Sequence, residues 1–376
     1  MPHNLAIVAD WLPTFGGAEH VVSEFTRIWP SAPLFTTLAR RGAIGPLKDA
    51  NLQLSWLQQL YQLVGSHQYL LPLMPSAVEG WDFSGFDVIL SSSHAVAKGI
   101  IPPSSAVHIC YCHTPIRYAW EMEDEYLSDF HVRGYLRTLA KEQLKKLRRW
   151  DLTTAKRVDH FIANSSETKE RIARIYGRDS VVISPPVHDR FFATQHSKLV
   201  TRTSSYYLAL GRFVPYKRFD LLIELANTLN LPLKIAGSGD DEKRLKSLAG
   251  PTVEFLGYVP DAELPGLYAG AKAVLFPQHE DAGLVPLESL ASGTPVIAYH
   301  KGGVLDAVEH GVTGLLADAQ TVDAFAEAIR TFETMTWDRQ KVRDRAARYS
   351  VANFHRQISD EVSAALRKYG RKKIEN

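Results

Sequence analysis

The stretch "HEDAGLVPLE" (279–288) sets two carboxylates, Glu280 and Glu288, eight positions apart around Gly283 and Pro286. Paired carboxylates could flank a scissile bond as acid and base, as in glycoside hydrolysis. They could equally be two ordinary charges beside a loop and a helix. A second set of candidates lies upstream in "LGRFVPYKRFD" (210–220), where Arg212 and Lys217 follow a strand that ends at Gly211. Two fixed cations at a strand's carboxyl end suit a diphosphate, which a hydrolase would not require; the alternative is a solvated basic loop. A third is "ADWLPTFGGAEHVV" (9–22), with Gly16 and Gly17 between a strand and a helix beginning near Ala18. Bare backbone at a helix N-terminus is a ready anion site, and the alternative is a plain βα turn. The pattern is not G-x-G-x-x-G, so a dinucleotide fingerprint is not matched.

Other polar clusters carry less. In "IAGSGDDEKRL" (235–245), Asp240 and Asp241 start the helix, where acids cap the backbone and repel phosphate. That glycine turn is assigned to structure or to the floor of a pocket. In "HICYCHTPIRYAW" (108–120), strand alternation puts His108, Cys110 and Cys112 on one face, with His113 just beyond. Tetrahedral zinc wants four ligands, and no second Cys/His cluster stands elsewhere, so buried thiols are the better reading and no metal site is expected. His113, at the strand's end, is placed to face a ligand. From 133 to 157, nine Lys/Arg stand against Glu142 and Asp151. This is a solvated helix face, or a surface for anionic lipid or a phosphate-bearing acceptor.

These residues need a scaffold. Upstream of Glu280, "AKAVLFP" (271–277) reads as a buried strand; downstream, "PLESLASGTPVIAY" (286–299) gives a short helix, a Gly-Thr-Pro break and another strand. Glu280 then lies in the loop at a strand's carboxyl end, and Glu288 in the first turns of the next helix. Ligands of open α/β sheets bind at that edge. Similar runs recur: "LAIVAD" (5–10), "FDVILSSS" (86–93), "AVHICYC" (106–112) and "VDHFIANS" (158–165) in a first half. "YYLALG" (206–211), "LPLKIAG" (231–237), "VEFLGYV" (253–259), "AVLFP" (273–277) and "TPVIAY" (294–299) follow in a second. Alternation with amphipathic stretches is the mark of βα repetition. "ISPPVHDRFFATQHSKLVTRTSS" (183–205) reads as a linker, giving two doubly wound domains with a cleft between them. Beyond about 355 the chain is helical and ends in a basic tail.

Bulk composition agrees. A chain of 376 residues suggests two domains, and 45% hydrophobic with 22% charged residues reads as globular. A net charge of +2 does not call for nucleic acid, and two cysteines make no disulfide framework, so a cytoplasmic protein is expected. The start is too soon interrupted by Asp10 for a signal peptide, and no stretch approaches the roughly 20 apolar residues of a membrane span.

Taken together, the chain resembles the retaining glycosyltransferases of the GT-B fold, family 4. The resemblance runs through "FGGAE", "CHTPIRYAW", "IANS", "GRFVPYKRFD", "AGSG", "FLGYV" and "EDAGLVPLESLASGTPVIAYHKGGVLDAVEHGVTGLL", the last holding the family's E-x7-E region. Within the family, "LPLMPSAVEGWDFSGFDVILSSSHAVAKG" and "CHTPIRYAWEMEDEYL" are similar to bacterial mannosyltransferases of O-antigen and exopolysaccharide assembly. The resemblance implies an acceptor-binding domain over 1–190, a nucleotide-sugar domain over 200–354, and a C-terminal helix (355–376) packed back on the first. It implies that Gly16 and Gly17 admit the donor diphosphate and that Arg212 and Lys217 neutralise it. Glu280 hydrogen-bonds the transferred sugar, with Asp281, Ala282, Gly283 and Leu284 around sugar and phosphate. Glu288 holds the ribose, Tyr258 lies against the base, and His113 meets the sugar or acceptor. One departure is Ala282, where the family carries an aromatic; a smaller side chain enlarges the pocket. No cofactor or metal is implied, and no Asp-x-Asp is present to hold one. The implied partners are a nucleotide sugar (GDP-mannose first, UDP-glucose second), a saccharide or polyprenyl-diphosphate-linked saccharide acceptor, and an anionic membrane surface. The last would be met by the basic 133–157 stretch and the apolar-aromatic segment 54–75 at the inner face of the cytoplasmic membrane.

Overall fold

In the computed structural model of the protein, residues 4–121, 123, 134–193 and 205–370 are described. They divide into two compact units, one drawn from the chain up to Ser184 and from Phe354 onward, the other from Pro185 to Asn353.

The first unit is built on seven strands: β1 (Leu5–Ala9), β2 (Leu34–Thr36), β3 (Leu52–Leu54), β4 (Val88–Ser93), β5 (Val107–Cys112), β6 (His160–Ala163) and β7 (Ser180–Val182). They pair in parallel in the order β3-β2-β1-β4-β5-β6-β7. Every residue of β4 and β5 is buried, as expected of strands covered on both faces. The period of two along β1 explains the two layers of core. Leu5, Ile7 and Ala9 face one way, onto Val21, Val22 and Phe25 of the helix Gly17–Ile28. Ala6 and Val8 face the other, onto Leu57, Met74, Val78 and Phe83. The helix Val351–Ala365 adds Phe354, Ile358, Val362 and Ala365 to the first layer, a stripe at spacings of four, four and three. Each large side chain of that stripe contributes roughly 1.5–3 kcal/mol by burial.

The second unit holds β8 (Tyr206–Leu210), β9 (Leu233–Ala236), β10 (Val253–Gly257), β11 (Ala271–Phe276), β12 (Val296–Tyr299) and β13 (Gly314–Ala317). These are parallel too, in the order β10-β9-β8-β11-β12-β13. Tyr207 and Ala209 point into one core, Leu208 and Leu210 into the other. The chain entering this unit is not a free linker as far as residue 193. Val187 and Phe191 are buried in its core, and Val187 N donates to Tyr349 O at 2.8 Å. The rest of the expected linker, 194–204, and the basic tail from 371 lie outside the described residues.

In each sheet the strand order reverses once, between β1 and β4 and between β8 and β11. Such reversals open a crevice at the carboxyl ends of the strands. Four strands have no counterpart in the sequence reading: β2, β3, β7 and β13. The first three are three residues long and β13 four, too short for a period-two pattern to show.

Candidate functional site

The reversal in the second unit gathers the carboxylates and one of the two cations. Past β8, the chain turns through Pro215–Lys217, and Arg218 takes a left-handed conformation (φ 54°) before the helix Phe219–Leu229. That sharp turn brings Lys217 Nζ to 2.8 Å from Glu280 Oε1, in the loop after β11. Both side chains are largely buried. Burial works against the Lys217 ammonium, and the Glu280 carboxylate outweighs it, holding Lys217 above the ordinary lysine value. Arg212 was expected to be fixed beside it. It is instead exposed, and among the described residues it forms no hydrogen bond or ion pair. Its charge is near enough to act on Lys217, but its head is not positioned.

The 277–283 loop is held by backbone. Gly303 N donates to Glu280 O (2.9 Å), and Gln320 Nε2 donates to Pro277 O (2.8 Å). A Cβ on Gly303 would stand 2.0 Å from Asp281 O, so only glycine lets this strand of chain lie on the loop. Gly283, at φ 68°, reverses the chain into the helix Leu284–Ala291. Asp281, Ala282 and Leu284 are half-buried around that turn.

Glu288 lies on this helix in a different setting from Glu280. Tyr268 Oη donates to its Oε2 at 2.8 Å. Desolvation pushes its carboxyl up to about 7, against the pull of the Tyr268 hydroxyl and of Arg190 nearby. Tyr268 is the partner that sequence reading missed; it stands on the helix Leu264–Gly270, twenty positions away, and no spacing links it to Glu288. The folded protein therefore holds a proton on Glu288 between the ordinary value of 4.5 and about 7, where the unfolded chain has lost it. Stability from this group is full below about 4.5 and is lost as pH rises through about 7. Glu288→Gln should accordingly gain on wild type by about 1–3 kcal/mol between pH 5 and pH 8.5 in urea unfolding. A difference between the two that stays constant over this range would disprove the elevated carboxyl.

The remaining residues of this unit sit further out. Tyr258, just past β10, is 77% exposed. The "AGSG" turn is structural: a Cβ on Gly237 would come within 1.9 Å of Gly211 O, so the turns after β8 and β9 pack backbone to backbone. Asp241 does not cap its helix as expected. Both its oxygens accept from Arg244 instead, each at 2.6 Å.

In the first unit, Gly16 precedes the helix Gly17–Ile28, as the spacing suggests. Its N–H is already taken, donating to Glu19 Oε2 at 3.0 Å. A carboxylate thus caps the helix start expected to receive a phosphate. Burial raises the Glu19 carboxyl above its ordinary value, offset by the charge of His94. Beside it lies a cluster that sequence reading passed over. Asp10, buried at the end of β1, accepts from the N–H groups of His94 (2.6 Å), Ala95 (3.1 Å), Val96 (2.6 Å) and Ala97 (2.5 Å). His94 Nδ1 is 2.9 Å from the same carboxylate. Burial alone would raise Asp10; His94 and the N–H groups hold it at about 2. His113, at the end of β5, has Nε2 2.8 Å from Ser92 Oγ, and its ring centroid is 6.3 Å from that of His94. Burial first, then the neighbouring His94 charge, lower His113 to about 3, so this imidazole stays neutral. The available signal was an aspartate ending an apolar strand in "LAIVAD".

The remaining Cys/His residues of β5 are buried in the sheet. His108 Nε2 is 2.9 Å from Ser91 Oγ, and Cys110 and Cys112 are buried and free. No group of three or more His, Cys, Asp or Glu is arranged for a metal ion among the described residues. No helix among them is long and apolar enough to cross a membrane.

Two parallel Rossmann-like sheets of this order define the GT-B glycosyltransferase fold, and solved structures show it directly. The chain is similar to Anabaena HepE in complex with UDP and glucose, with a TM-score of 0.66 at 20% identity over 96% of this chain and 100% of that one. It is similar also to sucrose-phosphate synthase from Thermosynechococcus elongatus, with a TM-score of 0.65 at 17% identity over 99% and 98%. Residues 15–191 match Glycosyltransferase Family 4 and residues 192–349 match Glycosyl transferases group 1, so the chain belongs to the group 1/family 4 glycosyltransferases. Mannosylfructose-phosphate synthase of Agrobacterium fabrum is 26% identical over 67% of this chain and 62% of its own length. The lipopolysaccharide core biosynthesis glycosyltransferase LpsE of Rhizobium meliloti is 30% identical over 55% and 63%. D-inositol 3-phosphate glycosyltransferase of Corynebacterium urealyticum is 34% identical over 40% of each. The chain thus spans less than two thirds of the length of these curated relatives.

Proposed function

We propose that this chain is a retaining, metal-independent hexosyltransferase. In this reading it moves α-mannose from GDP-mannose to a saccharide, or a lipid-linked saccharide, in cell-surface polysaccharide synthesis. The observation that carries the reading is the Lys217–Glu280 pair, 2.8 Å apart past the carboxyl ends of the neighbouring strands β8 and β11. A nucleoside diphosphate leaving group gains negative charge as the glycosidic bond breaks, and a fixed ammonium stabilises it most in the transition state. On donor binding Lys217 exchanges Glu280 for the diphosphate, which releases Glu280 to the hydroxyls of the transferred sugar. Arg212 closes onto the diphosphate as a second cation. Glu288 accepts from the ribose hydroxyls, Tyr258 lies against the base, and the backbone of Asp281, Ala282, Gly283 and Leu284 surrounds sugar and phosphate. The departing phosphate takes the proton of the acceptor hydroxyl on the same face of the sugar. His113, neutral, hydrogen-bonds sugar or acceptor. A carboxylate-pair hydrolase is disfavoured because each glutamate has its own partner, Lys217 or Tyr268.

The second reading is a UDP-glucose donor, favoured by the small Ala282 and by the UDP and glucose in the HepE complex. One experiment tests both. Donors are ranked by calorimetry, then transfer is run in excess EDTA and the product read by proton NMR. GDP-mannose should bind tightest and give an α-linked product with the rate unchanged by EDTA. A β-linked product, or activity abolished by EDTA and restored by magnesium, would refute the mechanism; tighter UDP-glucose binding would select the second donor.

A further inference from the structure

The loops that carry Lys217 and Glu280 both touch a third, the bend 318–321 between β13 and the helix Val322–Thr334. The side chain of Gln320, half-buried in that bend, reaches the other two. Its Nε2 donates to Pro277 O at 2.8 Å, and its Oε1 accepts from Arg218 Nη1 at 3.2 Å. Pro277 stands three positions before Glu280, and Arg218 directly follows Lys217. Both ends of one carboxamide are therefore used, and a single orientation of it satisfies an arginine donor and a carbonyl acceptor together. The bend that presents Gln320 is itself fixed, because Thr321 caps the following helix by accepting from Ala324 N at 3.3 Å.

The contact to Arg218 falls where the chain is least able to hold itself. Among the described residues, Arg218 and Asn230 are the non-glycine positions with positive φ. Asparagine just past a helix end adopts that conformation readily, as Asn230 does. An arginine ahead of a helix is strained there and keeps the conformation only where its surroundings hold it. The holding contacts of Arg218 are its N–H on Pro215 O (3.0 Å), Nε on Asp220 Oδ1 (3.3 Å) and Nη1 on Gln320. The first two are local, whereas Gln320 is 102 positions away and ties the turn to a different element. Lys217 has little slack in that turn, since a Cβ on Gly211 would stand 3.0 Å from its Nζ. Displacing the turn therefore carries the ammonium away from Glu280 Oε1, 2.8 Å distant. The Glu280 loop is anchored at residue 280 by Gly303 N and at residue 277 by the same Gln320.

We propose that Gln320 is a positioning residue for sugar transfer, its one carboxamide holding the Lys217 turn and the Glu280 loop in register. The effect on transfer rests on the sugar-transfer reading; the effect on the Lys217–Glu280 pair does not. Acetylation of the native protein with acetic anhydride, resolved by peptide mass spectrometry, tests the second without any turnover. The neutral amine is what reacts, and the Glu280 carboxylate suppresses it at Lys217. In Gln320→Leu, which lacks both contacts, Lys217 labelling should rise about threefold or more. Gln320→Glu, which is isosteric and keeps only the Arg218 contact, should raise it less. Lys272, paired with Glu333 at 2.7 Å, is the internal reference and should not change. With GDP-mannose or UDP-glucose, whichever calorimetry ranks first, Gln320→Leu should lower kcat about tenfold or more. In a Lys217→Ala background the same change should cost less than about twofold, because its effect runs through that lysine. Lys217 labelling that stays at the wild-type level in both variants, or rises together with Lys272, would overturn the proposal. So would losses that multiply in the double variant. Wild-type turnover by Lys217→Ala would overturn the sugar-transfer reading and the effect on transfer with it, while the labelling decides separately whether Gln320 sets the pair.

Discussion

Lys217→Ala lowers turnover at saturating donor by about 10²-fold or more, the loss expected when one fixed charge contact to a developing anion is removed. The structure sharpens this expectation. Arg212 is exposed and unfixed, so it replaces little of what Lys217 supplies. Glu280 loses its 2.8 Å partner, and in the proposed donor complex its carboxylate then faces the diphosphate. The variant therefore removes an attraction and uncovers a repulsion. Lys217→Arg, which keeps the charge with a different head, should recover part of the rate. Steady-state kinetics decide the matter: a defect confined to KM, with kcat unchanged, would mean that Lys217 binds ground and transition states alike.

Glu280→Ala and Glu288→Ala should fail in different ways. Glu280 stands in the loop after β11 and pairs with Lys217; Glu288 stands on the following helix and pairs with Tyr268. A contact to the transferred sugar strengthens as the bond breaks, so Glu280→Ala should cut turnover by about 10²-fold while nucleoside diphosphate affinity holds within a few-fold. A ribose contact exists in both ground and transition states, so Glu288→Ala should chiefly weaken nucleotide binding, by about tenfold. Titration calorimetry with the nucleoside diphosphate, beside turnover, separates the two. Equal losses of nucleotide affinity would sink the division of roles.

Much of this arrangement was legible in the sequence. The apolar runs around 5–10, 86–93, 106–112, 206–211 and 271–277 are strands because a buried parallel strand must be continuously apolar, and that pattern needs no knowledge of neighbours. The positions of Glu280 and Glu288, one in a strand-end loop and one on the next helix, follow from the same local signals. Gly16 at the helix start and buried Cys110 and Cys112 were legible for the same reason. The resemblance carried by motifs such as the E-x7-E region also placed the chain among glycosyltransferases.

What tertiary structure alone decided is which side chains meet. Lys217 and Glu280 are 63 positions apart, and only the pairing of β8 with β11 and the left-handed turn at Arg218 brings them together. The same holds for Tyr268 beneath Glu288 and for Asp10 gathering four N–H groups from a loop 84 to 87 positions away. Sequence shows that Arg212 and Lys217 are both cations, but packing fixes one and leaves the other in water. It equally shows Glu19 as an acid near a glycine turn, but only the fold aims its carboxylate at Gly16 N–H. The physical reason is range. Periodicity and caps act over a few residues, whereas ion pairs, desolvation and cavities depend on distances that the chain sets only after its strands have chosen their neighbours.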